Sequence, residues 1–468
     1  MLTMDNENME EYDYIIVGSS LSNALLTNVL SWKGFKVLSI DENDYYGDYT
    51  AALSVDQICD QFKDVFINDE NISQNKTRFG VDLIPSYILC DSKMIKYIMN
   101  FNIYRYLEVV KLDNFYTFNS KNDSFDKLKT TKQDIFTDTS ISPITKRTIM
   151  KCIKFLVEEV NEENQIWKDY KDKPIMDLFT DKFGKLPVNL INEFVFTICN
   201  CFDCDHLTTK TASDIITKFF KSYNVYGNFP ALLTKYGGLG EIIQGVYRSA
   251  ALIGNVIRLR TTISKVDGNI IELSDGEMVK VNERIIISNN QNINLKALNK
   301  TKLTSNSNVY RSHLFVKKND ECKLKWSYSN INGSLITFPP NSVLNETDVL
   351  ANTVQLMVLS DSLERTSNGY VTLSIMATNK TDLDLIIGKY EKEGDVVFKF
   401  NYEQNINYST EGNDESILIT PDVQEPLSLD LDQFVEVAIG IYNQIIKKDD
   451  DDDDECDFMS VNLPNNDE

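Results

Sequence analysis

The sequence predicts an α/β protein built on a Rossmann-type domain that a helical segment interrupts. Three observations predict it. A strand, a glycine turn, a helix and a second strand fall within the first forty residues. Residues 125–225 then change to apolar positions at helical spacing. After Gly227 the short alternating runs typical of strands return.

Each element has a local reason. Tyr12–Val17 is a β-branched and aromatic run that ends at Gly18, followed by a helical stretch from Leu21 to Trp32. Lys36–Ile40 is the second strand and ends at Asp41, which completes the opening of a βαβ unit. Ser142-Pro143 is an N-cap with proline at the first helical position, and Ile149, Ile153, Leu156 and Val160 follow on one face. Another helix is expected from about Ser213 to Asn224, burying Phe219, Phe220 and Tyr223. Strands are expected at Val256–Leu259, Ile270–Leu273, Arg284–Ile287, Val309–Val316, Val354–Leu359, Tyr370–Ile375 and Val396–Tyr402, and a closing helix at Asp430–Ile446. The expected division is therefore 1–124 and 226–448 for the two parts of the α/β domain, 125–225 for the helical domain and 449–468 for an acidic, disordered tail.

Composition narrows the function. Lys and Arg number 47 against 70 Asp and Glu, a net charge of −23 over 468 residues. Ten of those acids lie in 449–468, which holds no Lys or Arg. A polyanion would be repelled, so a nucleic-acid reader is not expected. No run of eighteen apolar residues is present, and the acidic start is unlike a targeting peptide, so a cytoplasmic protein is expected. The eight cysteines suit reduced thiols, and the two histidines, His206 and His313, leave little for histidine chemistry.

The motifs point away from catalysis. A dinucleotide loop needs three glycines, for the turn, for pyrophosphate approach and for helix–strand packing. Here the loop is Gly18-Ser-Ser-Leu-Ser-Asn23 and only the first remains. Ser20 puts a Cβ where phosphate oxygens would sit, Asn23 is expected to crowd the helix–strand contact, and Asp41 alone stands where a ribose-binding acid belongs. A retained scaffold without cofactor is expected, with an FAD-dependent oxidoreductase as the rival class. Cys201 and Cys204 have C-x-x-C spacing beside Cys199 and His206, but no second pair follows, so buried thiols are expected in place of a metal site. No catalytic residue is assigned. In Lys235–Ala250 a glycine turn opens a helix with Glu241, Gln244 and Arg248 on about one face, readable as an internally paired helix start or as a polar face offered to a partner.

Taken in order, these segments resemble the Rab GDP-dissociation inhibitor and Rab escort protein superfamily. Tyr12–Gly47, ending Asp44-Tyr-Tyr-Gly47, resembles its first signature. Gly80–Pro85 with Tyr104–Glu108 resembles the second, and Tyr226–Pro230 with Tyr236–Ala251 the third. Val397–Gln404 and Ile417–Asp422 resemble its late strands. The resemblance implies an FAD-binding, flavin-monooxygenase-like domain without flavin, with an inserted all-helical second domain. It implies no cofactor, and as partners GDP-bound Rab GTPases, Rab geranylgeranyl transferase, the geranylgeranyl lipid of Rab and transient membrane contact. It places a Rab-binding platform at Tyr46, Glu241, Gln244 and Arg248. It implies lipid shelter in the helical domain, for which Ile149, Ile153, Leu156, Phe219, Phe220 and Tyr223 are the candidates. A platform methionine falls at Arg258, and an arginine and a tyrosine of the inhibitors' mobile loop fall at Val225 and Ala231. Lys235-Tyr-Gly-Gly and Arg248-Ser-Ala-Ala look like fungal escort proteins, whereas the Tyr46-to-Val81 spacing and the length are inhibitor-like. Escort protein is the reading taken, with recycling inhibitor as its alternative.

Overall fold

The structure is a computed structural model, and it describes residues 9–129, 132–139, 141–202, 206–288, 307–318, 332–345, 347–393, 396–406, 416–423, 428–446 and 454–460. The first sheet is the Rossmann core. Val256–Arg258, Val37–Ile40, Glu10–Val17 and Met278–Ser288 lie side by side in parallel. The long strand Met278–Ser288 is shared: its first residues pair antiparallel with Ile270–Leu273, and its last four pair in parallel with Ile417–Thr420. The helix Leu21–Trp32 runs over this sheet as the sequence predicts. It is buried almost all round, because Gly238–Ala251 packs on one side of it and Asp432–Ile445 on the other.

The second sheet has eight strands in the order Val65–Ile67, Val396–Ile406, Ser307–Lys317, Tyr370–Ala377, Val354–Leu359, Gly333–Phe338, Asn114–Asn119 and Ser124–Lys127. All its pairings are antiparallel except Gly333–Phe338 with Asn114–Asn119. Ser124–Lys127 therefore belongs to this sheet, so helical structure begins a few residues after 125. The fully buried runs Gly333–Phe338 and Ile417–Thr420 lack the alternation that marks a half-exposed strand, and periodicity alone does not find them.

Between residues 132 and 221 the described structure is helical. Pro143–Glu158 starts as expected: the Ser142 hydroxyl accepts the Thr145 N–H at 3.1 Å, with proline at the first helical position. Thr209–Lys221 packs across it, four residues earlier than the expected start, because Thr208 caps it by accepting the Thr211 N–H. Lys218 on that helix ion-pairs with Asp430 and, at 2.5 Å, with Asp432, which ties the insert to the closing helix. Asp432 also accepts the Lys93 and Met94 N–H groups at 2.9 and 2.8 Å, capping Lys93–Asn100.

One part of the tail departs from the expectation, while 449–453 and 461–468 lie outside the described residues. Within 449–468, expected to be disordered, Asp454–Met459 forms a helix in which Phe458 is fully buried. The charge run hid an aromatic anchor.

Candidate functional site

The loop after the first strand keeps one glycine for a reason visible in its backbone: Gly18 sits at φ +92°. The Ser19 and Leu21 donors that would face a pyrophosphate are taken by the chain itself, while the buried Ser20 hydroxyl has no partner among the described residues. The Ser19 N–H and hydroxyl donate to Asp41 Oδ2, and the Gly47 N–H donates to the Ser19 hydroxyl at 2.8 Å. Asp41 Oδ1 accepts the backbone and side-chain N–H groups of Asn43, both at 2.9 Å. The Leu21 N–H, at the start of the helix, donates to Thr50 Oγ1 at 3.0 Å, and Thr50 in turn donates to Gly47 O. The helix N-terminus that would attract a phosphate thus faces the 47–50 turn, and Ser19, Ser20, Asp41 and Thr50 are buried. Asn23 does not crowd the helix–strand contact; its Nδ2 donates to Gly18 O and Val17 O and its Oδ1 accepts from Thr420, so it bridges the two. These residues do not fit a dinucleotide.

The exposed chemistry lies on the helix Gly238–Ala251. Its start requires glycine: Gly238 has φ +53°, and a Cβ there would lie 1.7 Å from Asp82 Oδ2. Asp82 accepts the Leu239 N–H at 3.2 Å and pairs with Arg365 Nη1 at 2.7 Å, both side chains being buried. Burial raises the Asp82 carboxyl to about 6, with the Arg365 charge opposing it. Arg365 also donates to Thr234 O and Thr234 Oγ1, so the second sheet holds the strand that leads into the helix. Further along, a Cβ at Gly245 would meet Ile103 at 3.1 Å, a close approach that brings the 103–106 turn alongside Arg248.

Tyr46, Glu241, Gln244 and Arg248 do meet, around a cleft of about 340 Å³ that Tyr106, Tyr247 and Ile257 complete. Gln244 and Arg248 are exposed. The Arg248 guanidinium stacks over the Tyr106 ring, and the Tyr46 ring packs 5.5 Å from that of buried Tyr247. Glu241 plays a different part from the other two. Its Oε1 accepts the Glu108 N–H at 3.0 Å and its Oε2 the Tyr236 and Gly237 N–H groups at 3.2 and 3.3 Å. It joins two loops beneath the helix start, so Glu241 is internally paired, while Gln244 and Arg248 are exposed on the same face. Tyr106, Asp82 and Arg365 were not assigned from sequence; their partners are distant in the chain, and only Tyr106 and Asp82 fall in quoted motifs.

Arg258 is held by both guanidinium nitrogens to Glu277. Val225 is exposed, whereas Ala231 is buried in a strand opposite Leu89. Cys199 and Cys201 are buried and His206 is exposed, and among the described residues no group of three or more His, Cys, Asp or Glu is placed to hold a metal; Cys204 lies outside those residues.

Five of the six lipid candidates fall on the two packed helices of the insert; the second helix ends at Lys221, short of the expected Asn224, and Tyr223 lies in the turn that follows it. Ile149, Leu156 and Phe219 are fully buried in its core, with Ile153, Phe220 and Tyr223 packed partly buried against them. Two of the six also line cavities. Ile149 borders one of about 340 Å³ with Ser142, Thr145, Leu190 and Glu193, and Tyr223 borders one of about 450 Å³ with Phe115, Phe229 and Lys129. Glu193 is 3% exposed; the Lys129 N–H bonds to its carboxyl while Oε2 has no partner, and burial raises it to about 8.

Fold and site together define a dinucleotide-binding scaffold that has closed its phosphate loop and carries a polar cleft on an adjoining helix. The chain belongs to the GDP dissociation inhibitor family, whose sequence profile matches residues 4–317. It is 35% identical over 355 residues to the Rab proteins geranylgeranyltransferase component A of Candida albicans, covering 72% of this chain and 54% of that one. To the Rab GDP-dissociation inhibitor of Saccharomyces cerevisiae it is 27% identical over 274 residues, 56% of this chain and 59% of that one. The chain spans about half the length of the geranylgeranyltransferase components it matches. In fold it is similar to the crystal structure of a Rab GDI from Plasmodium falciparum, with a TM-score of 0.73 at 20% identity over 93% of this chain and 98% of that one. No helix among the described residues is long and apolar enough to cross a membrane.

Proposed function

We propose that this protein is a Rab escort protein: it binds GDP-bound Rab GTPases, presents them to Rab geranylgeranyl transferase and delivers the prenylated product to membranes. It performs no chemistry of its own in this reading. The observation that carries it is the pairing of a phosphate loop sealed by Asp41 and Thr50 with the open cleft of Tyr46, Gln244 and Arg248. Such a face, a preorganised cation beside an exposed amide and a half-buried phenol, suits the polar switch loops of a GTPase, where complementary charge sets register and specificity. The greater similarity to a geranylgeranyltransferase component than to a dissociation inhibitor, 35% against 27%, supports the escort role over recycling. The lipid is taken by the helical insert, next to Ile149 or Tyr223, where the cavities lie; each buried CH₂ contributes about 0.8 kcal/mol.

Reconstitution with Rab, transferase and geranylgeranyl diphosphate tests this. Lipid transfer to the Rab C-terminal cysteines should depend on the chain. Background transfer, together with stripping of prenylated Rab from membranes, would establish the inhibitor role instead.

A further inference from the structure

The docked part of the acidic tail makes contacts of three kinds within four residues. Phe458 is fully buried, its ring edge-on to Tyr442 at 5.5 Å and 6.1 Å from Tyr97. Asp457 Oδ1 accepts from Lys33 Nζ at 2.8 Å and Oδ2 from the Tyr442 hydroxyl at 2.6 Å. Lys33 also donates to Ser460 Oγ at 2.9 Å, and Asn100 Nδ2 donates to Met459 O at 3.1 Å. The receiving groups come from the ends of three helices, Leu21–Trp32, Lys93–Asn100 and Asp432–Ile445.

That combination is how a folded surface reads a short peptide: an aromatic anchor in a pocket, a charge fixed beside it, and a hydrogen bond to the main chain. On the receptor side, Tyr97 is held by bonds that do not involve the tail. The Tyr97 hydroxyl donates to Leu25 O and accepts from Asn28, each at 2.9 Å. Lys33 Nζ lies 5.7 Å from the centre of the Tyr442 ring. Eight residues of sequence, 446–453, separate the segment from the preceding helix. We propose that the groove formed by Lys33, Tyr97, Asn100 and Tyr442 is a binding site for acidic–aromatic peptides, and that this chain's own Asp457-Phe-Met-Ser460 occupies it in cis. A segment tethered so closely faces its site at roughly millimolar effective concentration. A competitor must exceed that, so the groove is shut to weak ligands until the segment leaves.

The test uses the full chain. A fluorescein-labelled peptide of residues 454–461 is titrated into wild type and into Phe458→Ala, followed by fluorescence anisotropy. Saturable binding to the variant is expected, at least tenfold weaker to wild type, and at least tenfold weaker again for a peptide carrying Phe458→Ala. Lys33→Glu added to the chain variant should reduce binding further. Absence of saturable binding to a folded Phe458→Ala chain, or equal binding to wild type, overturns the proposal. So does unfolding of that variant, which would make Phe458 part of the core. Asp457→Lys, which keeps the anchor, gives a second reading: chymotrypsin cleavage at Phe458 should rise at least tenfold with the body intact, and an unchanged rate counts against a separable segment.

Discussion

The Arg248 guanidinium lies 4.9 Å from the centre of the Tyr106 ring. The stack does more than pair two side chains. Arginine has several rotatable bonds, and ordering a long side chain at an interface costs about 0.5–1.5 kcal/mol. A cation held over an aromatic face meets part of that cost before a partner arrives, and such a contact at an exposed site contributes about 0.5–1 kcal/mol. Arg248→Ala should therefore weaken binding of GDP-bound Rab by about 1–3 kcal/mol. Tyr106→Leu should weaken it by less, about 0.5–1 kcal/mol. Thermal unfolding of Arg248→Ala should stay near wild type, because exposed substitutions shift stability by about 0.5 kcal/mol or less. Calorimetric titration measures both; wild-type affinity in Arg248→Ala would remove this residue from the binding face.

The second expectation concerns the sealed loop. Asp41 is 1% exposed and accepts four hydrogen bonds from Ser19 and Asn43. Hydrogen bonds to a charged group are worth about 1.5–3 kcal/mol each, and removing the acceptor strands buried donors. Asp41→Ala should cost about 3 kcal/mol or more in urea unfolding. If Asp41 served a bound dinucleotide instead, the purified wild-type protein would carry a visible flavin band and Asp41→Ala would lose it. A colourless wild type with a destabilised variant is the outcome that the closed loop predicts.

What the sequence disclosed follows from how far each cause reaches along the chain. The opening βαβ unit and the Ser142-Pro143 helix start depend on neighbours a few residues away, and both stand where local rules put them. The outward face of Gln244 and Arg248 follows from helical spacing. Glu241 could not be separated from them, because one of its three donors, the Glu108 N–H, lies 133 residues away. Arg365 carries no local mark at all: its role exists only because the second sheet brings it to Asp82, 283 residues distant in sequence. Phe458 was obscured differently, by a run of aspartates whose composition outweighed one aromatic residue.

Glu193 makes the fold pH-dependent in a direction that can be worked out. An unfolded glutamate titrates near 4.3, and burial raises the folded group to about 8. The folded state then binds the proton more tightly, so stability is highest below the unfolded value and falls as pH rises through the window from about 4.5 to 8. At about 1.4 kcal/mol per pH unit, the loss across the window is on the order of 5 kcal/mol. Glu193→Gln keeps an acceptor for the Lys129 N–H and removes the titration. Its stability should be flatter over that window and should exceed wild type at pH 8.5. Parallel urea-unfolding curves for the two proteins at pH 5, 7 and 8.5 would contradict the assignment.

Ile149 and Glu193 line the same cavity, which gives the lipid proposal a sharper test than packing alone. Where helices meet in a closed core, enlarging a side chain forces off-rotamer neighbours and costs about 1–3 kcal/mol. Where the side chain borders space, the added atoms enter that space first. Ile149→Trp adds a large ring beside about 340 Å³ of cavity. If that cavity receives the geranylgeranyl chain, the variant should melt near the wild-type temperature and bind unprenylated Rab normally through Arg248. Its affinity for prenylated Rab should fall at least tenfold, because the ring takes the volume the lipid requires. Leu156→Trp is the control: Leu156 is fully buried between the two helices and borders neither cavity described above, so its enlargement should lower stability and affect both forms of Rab alike. If Ile149→Trp behaves like Leu156→Trp, the cavity is ordinary core and the lipid is held elsewhere in the insert. Selective loss of prenylated Rab binding in Ile149→Trp alone would place the chain end of the lipid beside Glu193.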